Sequence, residues 1–474
     1  MNAFRAAFAV LPFLAVSALA QPTGFDARFT SRTMRVDLAH TGGTASETIS
    51  LSKVVDDGPW AGSRTRLLDD SNLGKYFFEV RDLATNAPLY SRGYASLYGE
   101  WESTGEARTR TMTLSESLRF PWPKAPVQIT LRKRDAKNLF REIFTTSVDP
   151  SSPDVNRAPL GPRGKVVTLL ESGPASAKVD LLVIGEGYTA KEMPKLRKDA
   201  DRLLAALFAE EPFKSRRSDF NVRLLELPCD ESGVHRPQSG IHRRTPLSVQ
   251  YNIFGSERYV LTYDDVALRD AASAAPYEFL EILVNDAQYG GGGIYGYQAT
   301  CSADTAFADY VFVHEFGHHF AGLADEYYTS DVAYETGAAE LPEPWEPNVT
   351  AHADAKSLKW KDLVKTGTAI PTPWEKEAYE KEARAYQAER RKRLAAGAPP
   401  SEIDALFTKQ REWEEKFLAS MPNAGKVGAF EGAAYEAKGL YRSSADCIMF
   451  TRDRVGFCPV CRRAIERVID LYSR

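Results

Sequence analysis

The chain has 474 residues, of which 43% are hydrophobic and 26% charged, a balance that excludes collagen-like, low-complexity and wholly disordered proteins. Its length exceeds what one hydrophobic core usually serves, so more than one domain is expected. A formal net charge of −4 without a clustered basic face gives no ground for a nucleic-acid partner.

The N-terminus reads as an export signal. Arg5 supplies a positive start, Ala6 to Val16 is apolar except at Pro12, and Ala18-Leu19-Ala20 offers a small-x-small cleavage site before Gln21. With residues 1–20 removed, the protein is expected to be secreted or periplasmic. No other run approaches the roughly 20 apolar residues of a membrane span.

Residues 21–150 are expected to form a β-sandwich. Thr33–Leu38, Tyr76–Val80 and Val127–Leu131 alternate or run apolar over short lengths, and clusters of Gly, Pro, Asn and Asp separate them. The one histidine there, His40, is expected at the surface or in a turn. A Pro/Ser/Asp-rich stretch at 147–154 marks a linker, which places the boundary near 150–160.

From 160 to 474 the character is α/β. Lys178–Tyr188 reads as a buried strand, Met193–Phe208 as an amphipathic helix and Phe220–Leu227 as a second strand. Gly185-Glu186-Gly187 barely meets the dinucleotide fingerprint, and the acidic residue it needs downstream is not evident, so no nucleotide cofactor is expected. Glu281–Asn285 is a further strand. Gly290, Gly291, Gly292 and Gly293 follow it, either as a loose loop or as bare backbone that another chain can approach closely. Residues 375–420 read as a solvated helical hairpin, with a densely charged first helix to Ala396 and a second capped by Ser401. The basic run at 390–393 is nearly balanced by flanking glutamates and reads as a solvated face.

His314-Glu315-Phe316-Gly317-His318 carries the chemistry. An apolar-rich stretch from Ala306 continues into it as one helix, and residues four apart share a helix face. His314 and His318 thus aim two imidazoles at one point, as zinc requires, and Glu315 can reach water at that metal. Gly322 can end the helix in the left-handed conformation. Asp325 could then return a carboxylate as third ligand, ahead of His319 and Glu326. The pattern has one residue more before the glycine than the metzincin signature, and an Asp in place of its last His. His235, His242 and His352 read as ordinary surface residues.

Five cysteines in an exported chain permit a disulfide and leave at least one thiol free, metal-bound or intermolecular. Cys458-Pro459-Val460-Cys461 could be half of a zinc knuckle or a redox pair, but no second CxxC exists. One local disulfide from Cys447 to Cys458 or Cys461 is expected, with Cys229 and Cys301 isolated.

The segment His314–Tyr328 (HEFGHHFAGLADEYY) closely resembles the active-site segment of the bacterial IgA-peptidase-type metallopeptidases, a metzincin-like family. Val284-Asn285 leading into Tyr289-Gly290-Gly291, Val427–Ala433, Gly439–Arg442, Cys447-Ile448-Met449 and Phe457–Cys461 also resemble it. The likeness spans roughly 165–474, the stretch before it resembles that family's N-terminal accessory domain, and 375–420 stands apart as an insertion. The resemblance implies a zinc peptidase with His314, His318 and Asp325 as metal ligands and Glu315 as general base. It further implies Met449 in a turn beneath the metal and the glycine-rich strand, with Gly290, Gly291 and Gly292, as the substrate-binding edge. Tyr441 is the candidate oxyanion donor from its place upstream of Met449, with Tyr328 as competitor. In metzincins with such a tyrosine it lies two residues after the turn methionine, where this chain has Thr451.

The expected function is an exported zinc endopeptidase acting on a protein or peptide. A zinc hydrolase of a non-peptide amide, such as a cell-wall bond, and a non-catalytic surface adhesion or scaffold protein are the alternatives. Glu315 beside both histidines favours catalysis.

Overall fold

The short apolar runs of the first 150 residues form strands, because alternating side chains give each a face for a shared core. A computed structural model describes residues 24–161, 164–330, 332–334 and 341–473; the expected export signal at 1–20 lies outside them. A one-turn helix α1 (Phe25–Arg28) precedes β1 (Phe29–Gly42), β2 (Glu47–Pro59), β3 (Tyr76–Asp82) and β4 (Pro88–Tyr94). Helix α2 (Leu97–Trp101) follows, then β5 (Met112–Pro123), β6 (Val127–Arg134), β7 (Phe140–Val148) and β8 (Val155–Asn156). These strands make two four-stranded sheets, ordered β5-β1-β2-β8 and β4-β3-β6-β7. Met34, Val36 and Leu118 of the first sheet share a buried cluster with Phe78, Val80 and Ile129 of the second.

His40 departs from expectation: it is fully buried on β1. Its ring stacks on Tyr98 with centroids 3.6 Å apart, and its two nitrogens meet Glu116 and Glu47, each at 2.8 Å. Two carboxylates, one seven residues on and one across the sheet, offset the cost of that burial, and nothing adjacent to His40 announces them. Burial alone would lower its pKa, but the hydrogen bonds to Glu116 and Glu47 outweigh it and raise the imidazole to about 9. Burial would likewise raise Glu47, yet His40 and Lys133 hold it down at about 2. The histidine's contribution to stability is therefore complete below its ordinary 6.5 and lost as pH rises through 9. That of Glu47 is complete above 4.5 and lost as pH falls through 2. Urea unfolding between pH 6.5 and 9 is expected to show a loss that is smaller by about 3 kcal/mol in His40→Gln than in the unmodified chain.

The C-terminal part begins with β9 (Lys165–Leu170), β10 (Val179–Glu186), α3 (Met193–Leu207) and β11 (Phe220–Glu226). Next come α4 (Asp265–Ala272), β12 (Phe279–Val284), β13 (Gly291–Ile294), β14 (Gln298–Ser302) and α5 (Ala308–Ala321). The chain ends with β15 (Val349–Thr350), α6 (Lys376–Ala395), α7 (Pro400–Ala419), β16 (Phe430–Ala433), β17 (Glu436–Arg442) and α8 (Pro459–Tyr472). A six-stranded sheet runs β13-β14-β12-β10-β11-β9, parallel in its four central strands and antiparallel at both edges. Every residue of β10 is buried, as a strand covered on both faces requires. Its Leu181 and Val183 pack under α3 and α5, while Leu182 and Ile184 pack under α4. The last sheet is small, ordered β15-β17-β16. The fold is thus mixed, with four sheets and eight α-helices among the described residues. None of those helices is long and apolar enough to cross a membrane.

The two parts interlock. Arg35 on β1 reaches Asp270 on α4 at 2.6 Å, and Ser117 on β5 donates to Asp265 at 2.6 Å. Beside this polar seam, Trp101 and Leu114 share an apolar cluster with Phe254 and Tyr295. The hairpin at 375–420 is present as α6 and α7, but it is not wholly solvated. Tyr379, Ala383, Phe407 and Leu418 are buried, and Phe407 lies against Phe307 and Tyr289. Those apolar positions recur at helical spacing along otherwise charged helices, which gives the hairpin an inner face. Ser401 lies inside α7, whose N-cap is Pro399, because Pro400 suits the first helical position.

Candidate active site

Helix α5 carries the HEFGH segment and ends where the sequence places its stop. Gly322 adopts φ of +60°, and its N–H bonds the His318 carbonyl at 3.0 Å. The chain then doubles back and brings Asp325 to the two histidines. His314 Nε2 lies 3.0 Å from Asp325 Oδ1 and 3.1 Å from His318 Nε2, and His318 Nε2 lies 3.2 Å from the same oxygen.

The ring orientations are fixed from behind. His314 Nδ1 donates to the Ile448 carbonyl at 2.9 Å, and His318 Nδ1 donates to the Leu323 carbonyl. A carbonyl only accepts, so both Nε2 atoms are left as lone-pair acceptors facing a carboxylate oxygen. Three acceptors this close repel one another unless a proton or a cation lies between them. Tetrahedral zinc with bonds of about 2.0–2.1 Å spaces its ligand atoms about 3.3 Å apart, close to what these three atoms show. The donor set therefore fits a zinc-class cation with an open fourth position.

The same crowding of acceptors draws protons to the cluster. Burial works to raise Asp325, but His318 and His314 outweigh it and hold the carboxyl well below its ordinary range. Burial disfavours charge on His318, yet Asp325 lifts it to about 9. Burial pushes Glu315 up, the two imidazoles pull it back and Asp325 pushes it up again, with a net rise. Glu315 lines a cleft of about 290 Å³ together with His314, His318 and Asp325. Ala95, Glu100 and Ser103 from the N-terminal part and Tyr379, Gln410 and Glu414 from the hairpin contribute walls to the same cleft. The sequence assigned chemistry to neither region.

Other expected residues fall as follows. Met449 is fully buried beneath α5, its Sδ lying 3.1 Å from where a Cβ on Gly317 would stand. His319 faces away from the cluster: its Nδ1 donates to the Ile294 carbonyl at 2.9 Å, and its Nε2 accepts from the Leu280 N–H at 3.1 Å. Burial lowers it to about 3, so it is a neutral rivet between α5 and the sheet. Glu326 points elsewhere, to the cysteines. Neither Tyr441 nor Tyr328 lines the cleft. Tyr441 sits on β17 opposite Glu431 and Thr350 and packs against the core, so the oxyanion role expected of it has no geometric support.

Gly290, Gly291 and Gly292 are at the sheet edge, but the edge is partly taken. Gly291 donates to the Arg258 carbonyl at 3.1 Å and accepts from the Val260 N–H at 3.2 Å. Antiparallel alternation turns the backbone groups of Gly293 to the same outer side. Tyr435, which sequence reasoning missed, donates through its hydroxyl to Asp325 Oδ2. Arg258 reaches the Tyr327 hydroxyl at 2.9 Å on the cleft wall. Tyr435 holds φ of +67°, a conformation uncommon for a tyrosine, in the turn between β16 and β17, and no motif marks it.

The free thiols correct another expectation. All five cysteines are free, and Cys447 Sγ stands 3.8 Å from Cys461 Sγ, so no disulfide links them.

No curated protein matches the chain. A family model described as IgA Peptidase M64 matches residues 167–469, and one described as Peptidase M64 N-terminus matches residues 24–145. The first covers more than half of the chain and contains the whole HEFGH segment with its returning Asp325, and on that ground the chain belongs to the IgA peptidase M64 family of metallopeptidases.

Proposed function

We propose that this chain is an exported zinc endopeptidase in which His314, His318 and Asp325 hold the metal and Glu315 is the general base. The convergence of those three ligand atoms within 3.0–3.2 Å, with Glu315 in the same cleft, carries the reading. Export rests on the N-terminal sequence, with residues 1–20 as the signal. The N-terminal unit, about 21–150, is read as a β-sandwich packed against a metzincin-like peptidase domain of about 160–474 with the hairpin inserted at 375–420.

Bound zinc supplies Lewis-acid polarisation of the scissile carbonyl and acidifies water at its open position. Glu315 removes a proton from the attacking water and returns it to the leaving amine. Met449 supports α5 from below. The outward-facing backbone of Gly293, beside Gly290, Gly291 and Gly292, offers an extended peptide main-chain hydrogen bonds along β13. The phenol of Tyr435 orients the Asp325 carboxylate from behind. Tyr435→Phe is expected to weaken zinc affinity about 10–100-fold, read by competition with a chromogenic chelator.

Casein cleavage by the purified protein tests the whole reading. One catalytic zinc per chain, cleavage abolished by a chelator and restored by zinc is the expected result. Zinc retention with cleavage of a cell-wall amide and no proteolysis would replace the substrate class. Absence of metal would leave a non-catalytic protein.

A further inference from the structure

Behind the active site, α8 begins at Cys458, which caps the helix by accepting the Cys461 N–H at 3.5 Å. The Cys458 N–H is directed at Cys447 Sγ at 3.3 Å, and the Ser443 hydroxyl lies 3.1 Å from Cys458 Sγ. Cys461 Sγ stands 3.8 Å from Cys447 Sγ and 3.7 Å from Glu326 Oε1. One ligand atom from each of Glu326, Cys447, Cys458 and Cys461 lies within 4.8 Å of all the others, and all four residues are buried.

Glu326 is the telling member. It is fully buried, its Oε1 accepts from Asn348 Nδ2 at 3.0 Å, and its Oε2 has no partner among the described residues. A carboxylate buried among three thiols with a free oxygen is costly unless something cationic meets it. We propose that Glu326, Cys447, Cys458 and Cys461 form a second metal centre, a closed structural zinc site.

The spacings match. Zinc–sulfur bonds of about 2.3 Å in a tetrahedron place two sulfurs about 3.8 Å apart, and a sulfur and a carboxylate oxygen about 3.6 Å apart. Soft thiolates select a thiophilic cation, and four protein ligands close the site against water and catalysis. The N–H groups directed at Cys447 and Cys458, with the N-terminus of α8 at Cys458, stabilise thiolate charge. Metal binding releases the thiol protons to solvent.

The centre joins three segments that the active site depends on. Glu326 follows Asp325, and its N–H bonds the Met449 carbonyl at 2.8 Å. Cys447 precedes Ile448, whose carbonyl fixes the His314 ring. Cys458 and Cys461 anchor both to α8. The second metal thus braces the returning carboxylate and the turn under α5 without touching substrate.

The test uses the His314→Ala/His318→Ala double variant of the full chain, which separates this centre from the catalytic one. The expected result is one remaining zinc per chain, and after cobalt substitution an intense near-ultraviolet thiolate-to-cobalt band. Adding Cys458→Ser should take both to zero. A thiol-modifying mercurial, which needs no further variant, should release that zinc in step with loss of three thiols. A metal-free double variant, or a disulfide between any two of Cys447, Cys458 and Cys461 in a non-reducing peptide map, would overturn the proposal. Neither outcome bears on the catalytic zinc, which is counted in the unmodified chain.

Discussion

Glu315→Gln is expected to lower kcat/KM for casein by about 10²–10⁴-fold while leaving the zinc content unchanged, the range a positioned general base supplies. The substitution keeps the size of the side chain and removes its basicity. Glu315 is one residue past His314, so its carbonyl and Cβ belong to the helix that positions both imidazoles, and a carboxylate oxygen lies within 4.8 Å of a ring nitrogen of each, in reach of water at the metal. Catalysis and metal retention can therefore be separated at this position, and at none of the three ligands. His318→Ala, by contrast, should lose zinc and activity together. Zinc determination and initial rates on the same preparations read both quantities. A Glu315→Gln protein with near-normal activity would remove the glutamate from the mechanism and require another base in the cleft.

What the sequence made legible follows from how local each signal is. The spacing of His314 and His318 is a property of one helix, and the turn at Gly322 needs only its own φ. β10, α3 and β11 were likewise readable, because burial on both faces and helical periodicity are written in consecutive residues. The partners of His40 are seven and seventy-six residues away, so its burial was invisible. Tyr435 reaches Asp325 across 110 residues through the β16–β17 turn, and the cleft borrows Glu100 from the other end of the chain. Tyr441 shows the reverse failure: its place before Met449 suggested chemistry, and strand register put it elsewhere. The cysteines were read as a disulfide because export permits one, and the fourth member of their cluster, Glu326, could be placed only by the fold.

Gly293→Ala is expected to damage the site as severely as losing a ligand, although Gly293 holds no metal and carries no side chain. Strand β13 runs directly under α5. A Cβ on Gly293 would fall far inside van der Waals contact with the Glu315 carbonyl oxygen and 2.9 Å from the His318 Cβ. The first of these is backbone, so no rotamer change relieves it. Sliding the helix is also resisted, because His319 ties α5 to the sheet through the Ile294 carbonyl and the Leu280 N–H. Overpacking of this kind costs about 1–3 kcal/mol or more, and misplacing a catalytic constellation by about 1 Å costs about 10²-fold in rate. A lowered Tm with activity reduced at least about 100-fold is therefore expected. Gly161→Ala, at a position where a Cβ meets nothing within 4 Å, should change neither. If Gly293→Ala instead kept its Tm and zinc but raised KM alone, the glycine would serve the substrate strand and not the seating of α5. The two roles assigned to β13, floor of the helix and edge for a peptide, would then have to be divided differently along it.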